Sequence, residues 1–306
     1  MRKGRVPFIV TFLVPPLALY VVFVLSPFVQ GIQLSFTDWT GLSPDFSYVG
    51  FDNYARLMAD EQWWNAALNN LKLLVVVPVA TLALALVFAT LVTRGGAGGV
   101  RRSLPGAGVY RVIYFFPQVI PVVVSAILFQ FIYTPGNGLL AQLLDWVGID
   151  MNELIPGGPI GNHDVILWAI AWVVIWASVG FYLVLFMAGM QQIPRDLYEA
   201  AAIDGAGRTR MFFSVTFPLL WGHIQVALVY IGIQTLDMFA LVSVMARNGQ
   251  TSNYGADVMS TRLYSTAFTE NSQFGYGSAM GTMLLLFSIL FAIVTFRVTR
   301  RDQVEY

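Results

Sequence analysis

The sequence has no cysteine, only two histidines and little charge. Without cysteine it can form no disulfide and use no thiol for catalysis or metal binding. His163 and His223 lie too far apart to form a metal-binding motif. No nucleic-acid partner is indicated either, because the formal net charge is zero. These absences argue against a resident metal or cofactor and against a soluble metalloenzyme.

A nucleotide-binding loop is also missing. Neither Lys3 nor Lys72 lies in a G-x-x-x-x-G-K-[ST] pattern, which binds phosphates through backbone N–H groups and its lysine. The glycine-rich run GGAGG at 95–99 is followed by no lysine, so we interpret it as a flexible cytoplasmic linker. No paired histidines or intramembrane acid pair suggest catalysis. The chain is therefore expected not to be an enzyme itself.

What the sequence does contain is apolar. Hydrophobic residues make up 57% of it and charged residues only 11%, against about 25% charged in soluble domains. A span of the hydrocarbon core needs about 20 apolar residues. Six segments are long enough, so we predict an all-α integral membrane protein with one transmembrane domain over 1–306. The predicted spans lie near 8–30, 71–93, 112–133, 165–190, 219–246 and 276–298.

The basic residues predict the orientation, since they are enriched in cytoplasmic segments. With the N-terminus inside, all but four of the 17 basic residues are cytoplasmic. The exceptions are Arg56, Lys72, Arg247 and Arg262. An even number of spans then places both termini in the cytoplasm. The loop between the fourth and fifth spans, at 194–218, faces the same side.

This loop is polar and alanine-rich, in contrast to the spans that flank it. Ala200, Ala201 and Ala202 favour a helix with a nearly bare surface. Gly205 and Gly207 are expected to end that helix. An alanine surface allows another protein to approach closely, and Glu199 and Asp204 can pair with its basic groups. The alternative is an amphipathic segment on lipid headgroups, which the acidic residues disfavour on an anionic surface.

The loop resembles a known family. It reads EAA at 199–201, then glycine at 205, then VTFP at 215–218, with three and nine residues between. This is similar to the EAA motif of ABC importer permeases, usually written EAA-x3-G-x9-I-x-L-P, with Val and Phe replacing Ile and Leu. GFDNY at 50–54 and YRV at 110–112 resemble the carbohydrate-type permeases. LDMF at 236–239 matches them more loosely.

The resemblance implies a type I ABC importer architecture with a cytoplasmic coupling helix. By resemblance that helix docks into a groove of an ATPase through Glu199, Ala200, Ala201, Asp204 and Gly205. ATP and Mg²⁺ would be bound by two cytoplasmic ATPase subunits and not by this chain. A second homologous permease and an extracytoplasmic solute-binding (lipo)protein would complete the complex. The implied location is the bacterial inner membrane, in contact with lipid, and the implied substrate is a sugar.

Polar and aromatic groups inside the spans are candidates for a substrate path, because polar groups facing lipid are costly. Sugars bind through hydroxyl hydrogen bonds and through ring faces stacked on aromatic side chains. The alternative for each aromatic is helix packing or a membrane-interface position, and for Asp237 the headgroup boundary. The candidates are Gln118, Trp176, Ser178, Phe181, Tyr182, Gln234, Thr235, Asp237 and Met238.

The resemblance therefore implies a permease subunit of an ATP-driven, binding-protein-dependent sugar importer, which forms half of the translocation pathway. The nearest alternative is an ABC permease for another polar solute, such as a polyol or glycerol phosphate. A secondary carrier or channel is less favoured, because carriers usually show internal repeats and ionisable residues within spans. Here only Asp237 qualifies and no repeat is apparent. A membrane enzyme is disfavoured by the missing catalytic groups.

Overall fold

The computed structural model describes residues 5–41, 43, 45–95, 101–103, 107–246, 255–270 and 272–299. Within these ranges nearly all regular structure is helical, which confirms the predicted fold class. Three sequence-based interpretations fall on residues outside these ranges: the linker at 96–99, the external position of Arg247 and the cytoplasmic position of the two termini.

The elements follow one another in chain order. The first eight helices are α1 Arg5–Tyr20, α2 Ser26–Leu34, α3 Asp52–Ala59, α4 Glu61–Val92, α5 Ala107–Val119, α6 Val122–Tyr133, α7 Leu139–Trp146 and α8 Met151–Leu154. The next eight are α9 Ile166–Gln192, α10 Arg195–Ile203, α11 Arg208–Met211, α12 Phe217–Leu219, α13 Trp221–Leu236, α14 Phe239–Met245, α15 Met259–Tyr264 and α16 Phe274–Val298. Short π-helical segments lie at Val21–Leu25, Phe212–Thr216 and Ser265–Glu270.

Among the described residues, four helical stretches are long and apolar enough to cross a membrane by themselves: Phe8–Leu34, Glu61–Val92, Ile166–Gln192 and Phe274–Val298. Two further pairs of bent helices qualify if each pair counts as one span, which raises the total to six. The second stretch begins at Glu61 and not near residue 71. The reason is a local cap, in which an Asp60 carboxylate oxygen accepts hydrogen bonds from the N–H groups of Gln62 and Trp63.

The predicted third and fifth spans are both interrupted. In the third, the axis turns by 95° between the helices Gly108–Val119 and Val122–Tyr133. Pro121 stands at this bend and has no backbone N–H to continue the helical ladder. The other bent pair, Arg208–Leu219 and Trp221–Leu236, meets at 67°, so this helical stretch begins before the predicted fifth span at 219–246, inside the predicted loop 194–218. The chain leaves the helix again between Leu236 and Phe239.

One short exception to the helical architecture follows α4. The strands β1 Thr93–Gly95 and β2 Arg101–Ser103 pair antiparallel, with Thr93 opposite Ser103. A three-residue strand is too short for its alternating pattern to be recognised in a sequence. The ribbon therefore could not be anticipated from the residue pattern.

The chain divides into two compact units, of which the first comprises residues 1–64 and 262–287. Polar contacts join α3 to the start of α16 in this unit. The Tyr276 hydroxyl donates to Asp60 over 2.7 Å, and the Arg56 guanidinium lies 4.1 Å from the centre of the Tyr276 ring. Arg56 also donates to the Gln273 side chain. These three contacts hold the C-terminal end of α3 to the N-terminal end of α16.

The second unit comprises residues 65–261 and 288–306 and is centred on α9. This helix carries no charge and is apolar on every side, as expected of a helix surrounded by others. Its backbone approaches that of α5 closely. A Cβ atom on Gly180 would lie 1.7 Å from the carbonyl oxygen of Tyr114. Only glycine permits this approach, so Gly180 determines how α5 and α9 pack.

Candidate functional site

The polar loop after the fourth span begins with helix α10, as the sequence predicted. Pro194 lies at the N-cap, directly before the first turn, with extended backbone angles. Asp196 is in the first turn, where the helix dipole favours a carboxylate. On the inner side, Leu197 and Tyr198 pack against the core of the second unit. The Tyr198 hydroxyl lies 2.9 Å from that of Thr216, so α10 is anchored on one side.

Helix α10 ends in a glycine turn. Gly205 has a φ of +73°, which favours glycine over residues with a Cβ. The N–H of Ala206 donates to Ala201 over 2.9 Å, and the N–H of Gly205 donates to Ala202 over 3.0 Å. This pair of bonds is a Schellman motif, which satisfies the last carbonyls of the helix. Since no atom lies within 4 Å of a Cβ placed on Gly205, only the backbone conformation requires glycine.

The outer side of this turn is accessible. Glu199, Ala200, Asp204 and Gly205 are exposed, and Ala201 is half-buried. Within the described part of the chain, neither Glu199 nor Asp204 has an ion-pair partner. The predicted coupling residues therefore form one surface that combines small side chains with two free carboxylates.

Ile203 is a residue that the motif did not mark. Its side chain is 87% exposed and lies on α10, between the alanines and Asp204. The signal was an aliphatic residue inside a polar loop. Covering such a side chain is worth about 1.5–3 kcal/mol. A partner that binds this surface therefore gains more from Ile203 than from the alanines.

The candidate path residues of the fifth span lie around its second interruption. Helix α13 ends at Leu236, and Asp237 and Met238 have non-helical backbone angles before α14 starts. Gln234 and Asp237 are exposed, which suits a solvated path. Thr235 and Met238 are buried instead. The Thr235 hydroxyl donates to the carbonyl of Ile231, one turn back in its own helix, over 2.7 Å.

Gln118 is the candidate of the third span. It is exposed and lies in the last turn of α5, just before the 95° bend at Pro121. The neighbouring Pro117 is buried. The third and fifth spans thus each carry an accessible amide beside a broken helix. Broken helices at membrane depth leave backbone groups that can line a solvated cavity.

The candidates of the fourth span are mainly aromatic and differ in burial. Trp176 and Phe181 are half-buried; the Trp176 ring contacts Phe129 edge-on at 5.1 Å between ring centres. Phe181 contacts both Tyr182, at 5.2 Å, and Tyr230, at 6.2 Å. Tyr182 is almost completely buried, and its hydroxyl has no hydrogen-bond partner among the described residues. Ser178 is half-buried. Accessible ring surface is therefore left on Trp176 and Phe181 rather than on Tyr182.

A separate apolar pocket of about 390 Å³ lies within the first unit. None of the candidate path residues lines it. Apart from Ser278 and Thr282 its lining is apolar, which does not suit a strongly hydrated solute. The lining residues are Pro27, Phe28, Gly31, Ile32, Leu263, Ala267, Phe268, Phe274, Gly277, Ser278, Gly281, Thr282 and Leu285.

Comparison with known proteins identifies the class of transporter. The family described as "Binding-protein-dependent transport system inner membrane component" matches residues 85–301, which is more than half of the chain. The chain belongs to this family. This inner membrane component is thus a multi-pass transport subunit, in agreement with the resemblance of its central loop to ABC importer permeases. The family is one of transport system components.

Curated relatives of this inner membrane component match it over most of its length. It is 41% identical to the "Diacetylchitobiose uptake system permease protein NgcF" of Streptomyces coelicolor, over 97% of the chain and 83% of that protein. It is 29% identical to the "Multiple sugar-binding transport system permease protein MsmF" of Streptococcus mutans, over 96% of both. Both relatives are named as permeases of sugar uptake systems.

The fold also matches a solved structure. A chain of a bacterial ABC transporter "involved in the import of the acidic polysaccharide alginate" superposes with a TM-score of 0.81. The match covers 97% of the present chain and 96% of the other at 23% sequence identity. At that identity the likeness concerns the fold, which is that of an ABC transporter permease.

Proposed function

We propose that this protein is the permease subunit of an ATP-driven, binding-protein-dependent sugar importer and forms half of its translocation path. The observation that carries the proposal is the 41% identity, over nearly the whole chain, to a permease named for diacetylchitobiose uptake. An exposed EAA segment, as an ATPase-binding surface requires, supports the same conclusion.

Coupling would run through α10. ATP-driven closure of a cytoplasmic ATPase has to reach the spans through a rigid contact. On its inner side α10 is tied to the core by Leu197 and by the contact of Tyr198 with Thr216. On its outer side Glu199, Asp204 and Ile203 are free to bind. Basic groups of the ATPase would meet the two carboxylates, and an apolar hollow would cover Ile203.

The substrate would be recognised by hydrogen bonds and ring contacts. Gln118, Gln234 and Asp237 supply accessible donors and acceptors beside the two broken helices. Trp176 and Phe181 supply ring surface on α9, which lies between the two broken helices in the sequence. In this proposal the buried Thr235, Met238 and Tyr182 shape the path by packing rather than by touching the solute.

The complex would contain several chains. Since this subunit has no nucleotide-binding loop, two ATPase subunits would bind ATP and Mg²⁺ in the cytoplasm. A second, homologous permease would supply the other half of the path, and an extracytoplasmic solute-binding (lipo)protein would deliver the sugar. Both termini and α10 would face the cytoplasm of a bacterial cell, as the distribution of basic residues indicates.

The substrate would be an oligosaccharide or a sugar derivative, and the relatives' names favour this class. An importer of a polyol or of glycerol phosphate is the alternative. Asp237 is the only charged side chain among the candidate path residues, and its charge is negative. An anionic phosphate ester would be repelled there. A neutral sugar is therefore favoured over glycerol phosphate.

The test is to purify the whole complex and to measure ATP hydrolysis and vesicle uptake with its binding protein. The panel would contain diacetylchitobiose, maltose, trehalose, xylose, a polyol and glycerol phosphate. We expect saccharide-loaded binding protein to stimulate both activities, with glycerol phosphate inactive. Stimulation by the polyol or glycerol phosphate alone would favour the alternative. Uptake by this subunit without any ATPase would contradict the proposal as a whole.

A further inference from the structure

Asn70 is a fully buried polar residue on α4, outside the set of candidate path residues. Its side-chain nitrogen donates to the carbonyl of Thr235 over 3.1 Å and lies 3.5 Å from that of Leu236. Its side-chain oxygen accepts the backbone N–H of Met259 over 2.8 Å. One amide thus contacts the end of α13 and the beginning of α15.

These contacts fall where the backbone needs partners. Carbonyl groups at the end of a helix, and N–H groups at its start, have no partner within that helix. Thr235 and Leu236 are the last two residues of α13, and Met259 is the first residue of α15. Asn70 carries both a donor and an acceptor, so it serves both helix ends at once.

The preceding asparagine binds the same segment. Asn69 donates to the carbonyl of Gly255 over 3.1 Å and to that of Asp257 over 3.0 Å. Within the segment, the Thr261 hydroxyl accepts the N–H of Val258 over 3.0 Å. Consecutive side chains of α4 therefore hold residues 255–259 by three hydrogen bonds.

We propose that Asn70 is a positioning residue for transport. Its hydrogen bonds to Thr235 and Met259, here called the lock, hold the helix break beside Asp237 to residues 255–261. When the path opens, the end of α13 and this segment then move as one body on α4. Without the lock the two helix ends move separately, and the side chains of Gln234 and Asp237 lose their fixed placement. The effect of Asn70 on transport rests on the proposed function, whereas its hydrogen bonds to the two helix ends do not.

The test compares Asn70→Leu and Asn70→Asp with a matched control in the complete complex in lipid vesicles. Asn70→Leu removes donor and acceptor at similar size, whereas Asn70→Asp keeps only the acceptor. The control is Thr81→Val, on the same helix. Thr81 is fully buried, and its hydroxyl has no hydrogen-bond partner among the described residues.

Two quantities are measured: sugar taken up per ATP hydrolysed by assembled complexes, and hydrogen exchange of the Met259 amide with and without ATP. In the wild type the Met259 amide should stay protected in both states. Both Asn70 variants should lower uptake per ATP about tenfold, because buried backbone groups lose their partners. Amide exchange at Met259 should rise in Asn70→Leu. Thr81→Val should change neither quantity.

Some outcomes would overturn the inference. One is a lower yield of complex with unchanged uptake per ATP, since that is a purely structural effect. Another is loss of Met259 protection in the wild type when ATP binds, which would mean that the bond opens during the cycle. The exchange measurement on the wild type still tests the proposal if neither Asn70 variant assembles into a complex. A wild-type complex that moves no saccharide would instead refute the proposed function, and the exchange data would still test the lock.

Discussion

Two interruptions of helical structure, the turn at Gly205 and the break at Asp237, are made in different ways. At Gly205 the helix is closed by its own backbone, through two hydrogen bonds and one positive φ. At Asp237 there is neither a glycine nor a positive φ. There Asn70, 165 positions from Thr235 in sequence, donates to the carbonyl of Thr235 and lies 3.5 Å from that of Leu236. One interruption is local and exposed; the other depends on tertiary contacts.

The two interruptions are therefore expected to tolerate substitution differently. A self-closed turn keeps its shape when its outer surface is altered, so substitutions there should affect binding more than folding. A break held by a distant side chain has no such independence, and its shape follows the packing around it.

The largest effect is expected for Glu199→Lys, at the exposed turn. A cation would then face the basic groups that we expect in the ATPase groove, and like charges at an interface cost several kcal/mol. We expect transport to fall about 100-fold or more, with normal membrane insertion and thermal stability. Uptake and ATPase co-purification are the measurements. Glu199→Gln is the control and should lose less transport activity. Transport at the wild-type rate by Glu199→Lys would show that this surface does not contact the ATPase.

The next effect is expected at the break. Gln234→Leu removes an accessible hydrogen-bonding group from the proposed path, and the partner left behind costs about 1–3 kcal/mol. Uptake should therefore fall roughly tenfold. Basal ATP hydrolysis and complex yield should be unchanged, because Gln234 is exposed. Asp237→Asn separates the possible roles of its neighbour: retained uptake indicates hydrogen bonding, and lost uptake indicates a need for charge. Unchanged kinetics in both variants would count against this path.

A smaller effect is expected for Gly205→Ala. The added Cβ meets no atom within 4 Å, so the cost is the positive φ alone, about 1 kcal/mol or more. The turn should loosen and coupling should weaken several-fold, measured as sugar taken up per ATP hydrolysed. Gly207→Ala is a matched control two residues on. Gly207 also has open space around it but a φ of −68°, so alanine meets no backbone strain there and should cost less than at Gly205. Equal effects of both changes would refute the conformational argument.

The smallest effect is expected for Thr235→Val. Thr235 is buried, and among the described residues its hydroxyl bonds to the carbonyl of Ile231 in its own helix, which is why we place it beside the path and not in it. Removing that bond costs about 0.5–1.5 kcal/mol of stability. The KM for the loaded binding protein should not change. A raised KM with unchanged thermal stability would return Thr235 to the substrate contacts.

The apolar helical segments and the polar loop were accessible from the residue pattern, because each rests on local composition; the number and limits of the membrane spans stay predictions. Helix α10 and its glycine turn follow from a few adjacent residues, which is why the predicted and observed turns agree. The bend at Pro121 could be suspected from the missing N–H, but not its 95° angle, which depends on packing. Similarly, nothing in the sequence distinguishes the accessible Gln234 from the buried Thr235, since neighbours on a helix face different surroundings.

While the cytoplasmic side of the loops and the coupling role of Glu199 stay predictions, the sequence by itself determined the membrane class and the glycine turn at Gly205. These features depend on composition and on interactions within one or two helical turns. Only the tertiary structure decided that Asn70 closes the break at Asp237 and that Gly180 sets the approach of α5 to α9. Both depend on contacts between segments far apart in the chain. Burial makes such contacts necessary, because buried polar groups and backbone atoms cannot form hydrogen bonds with water.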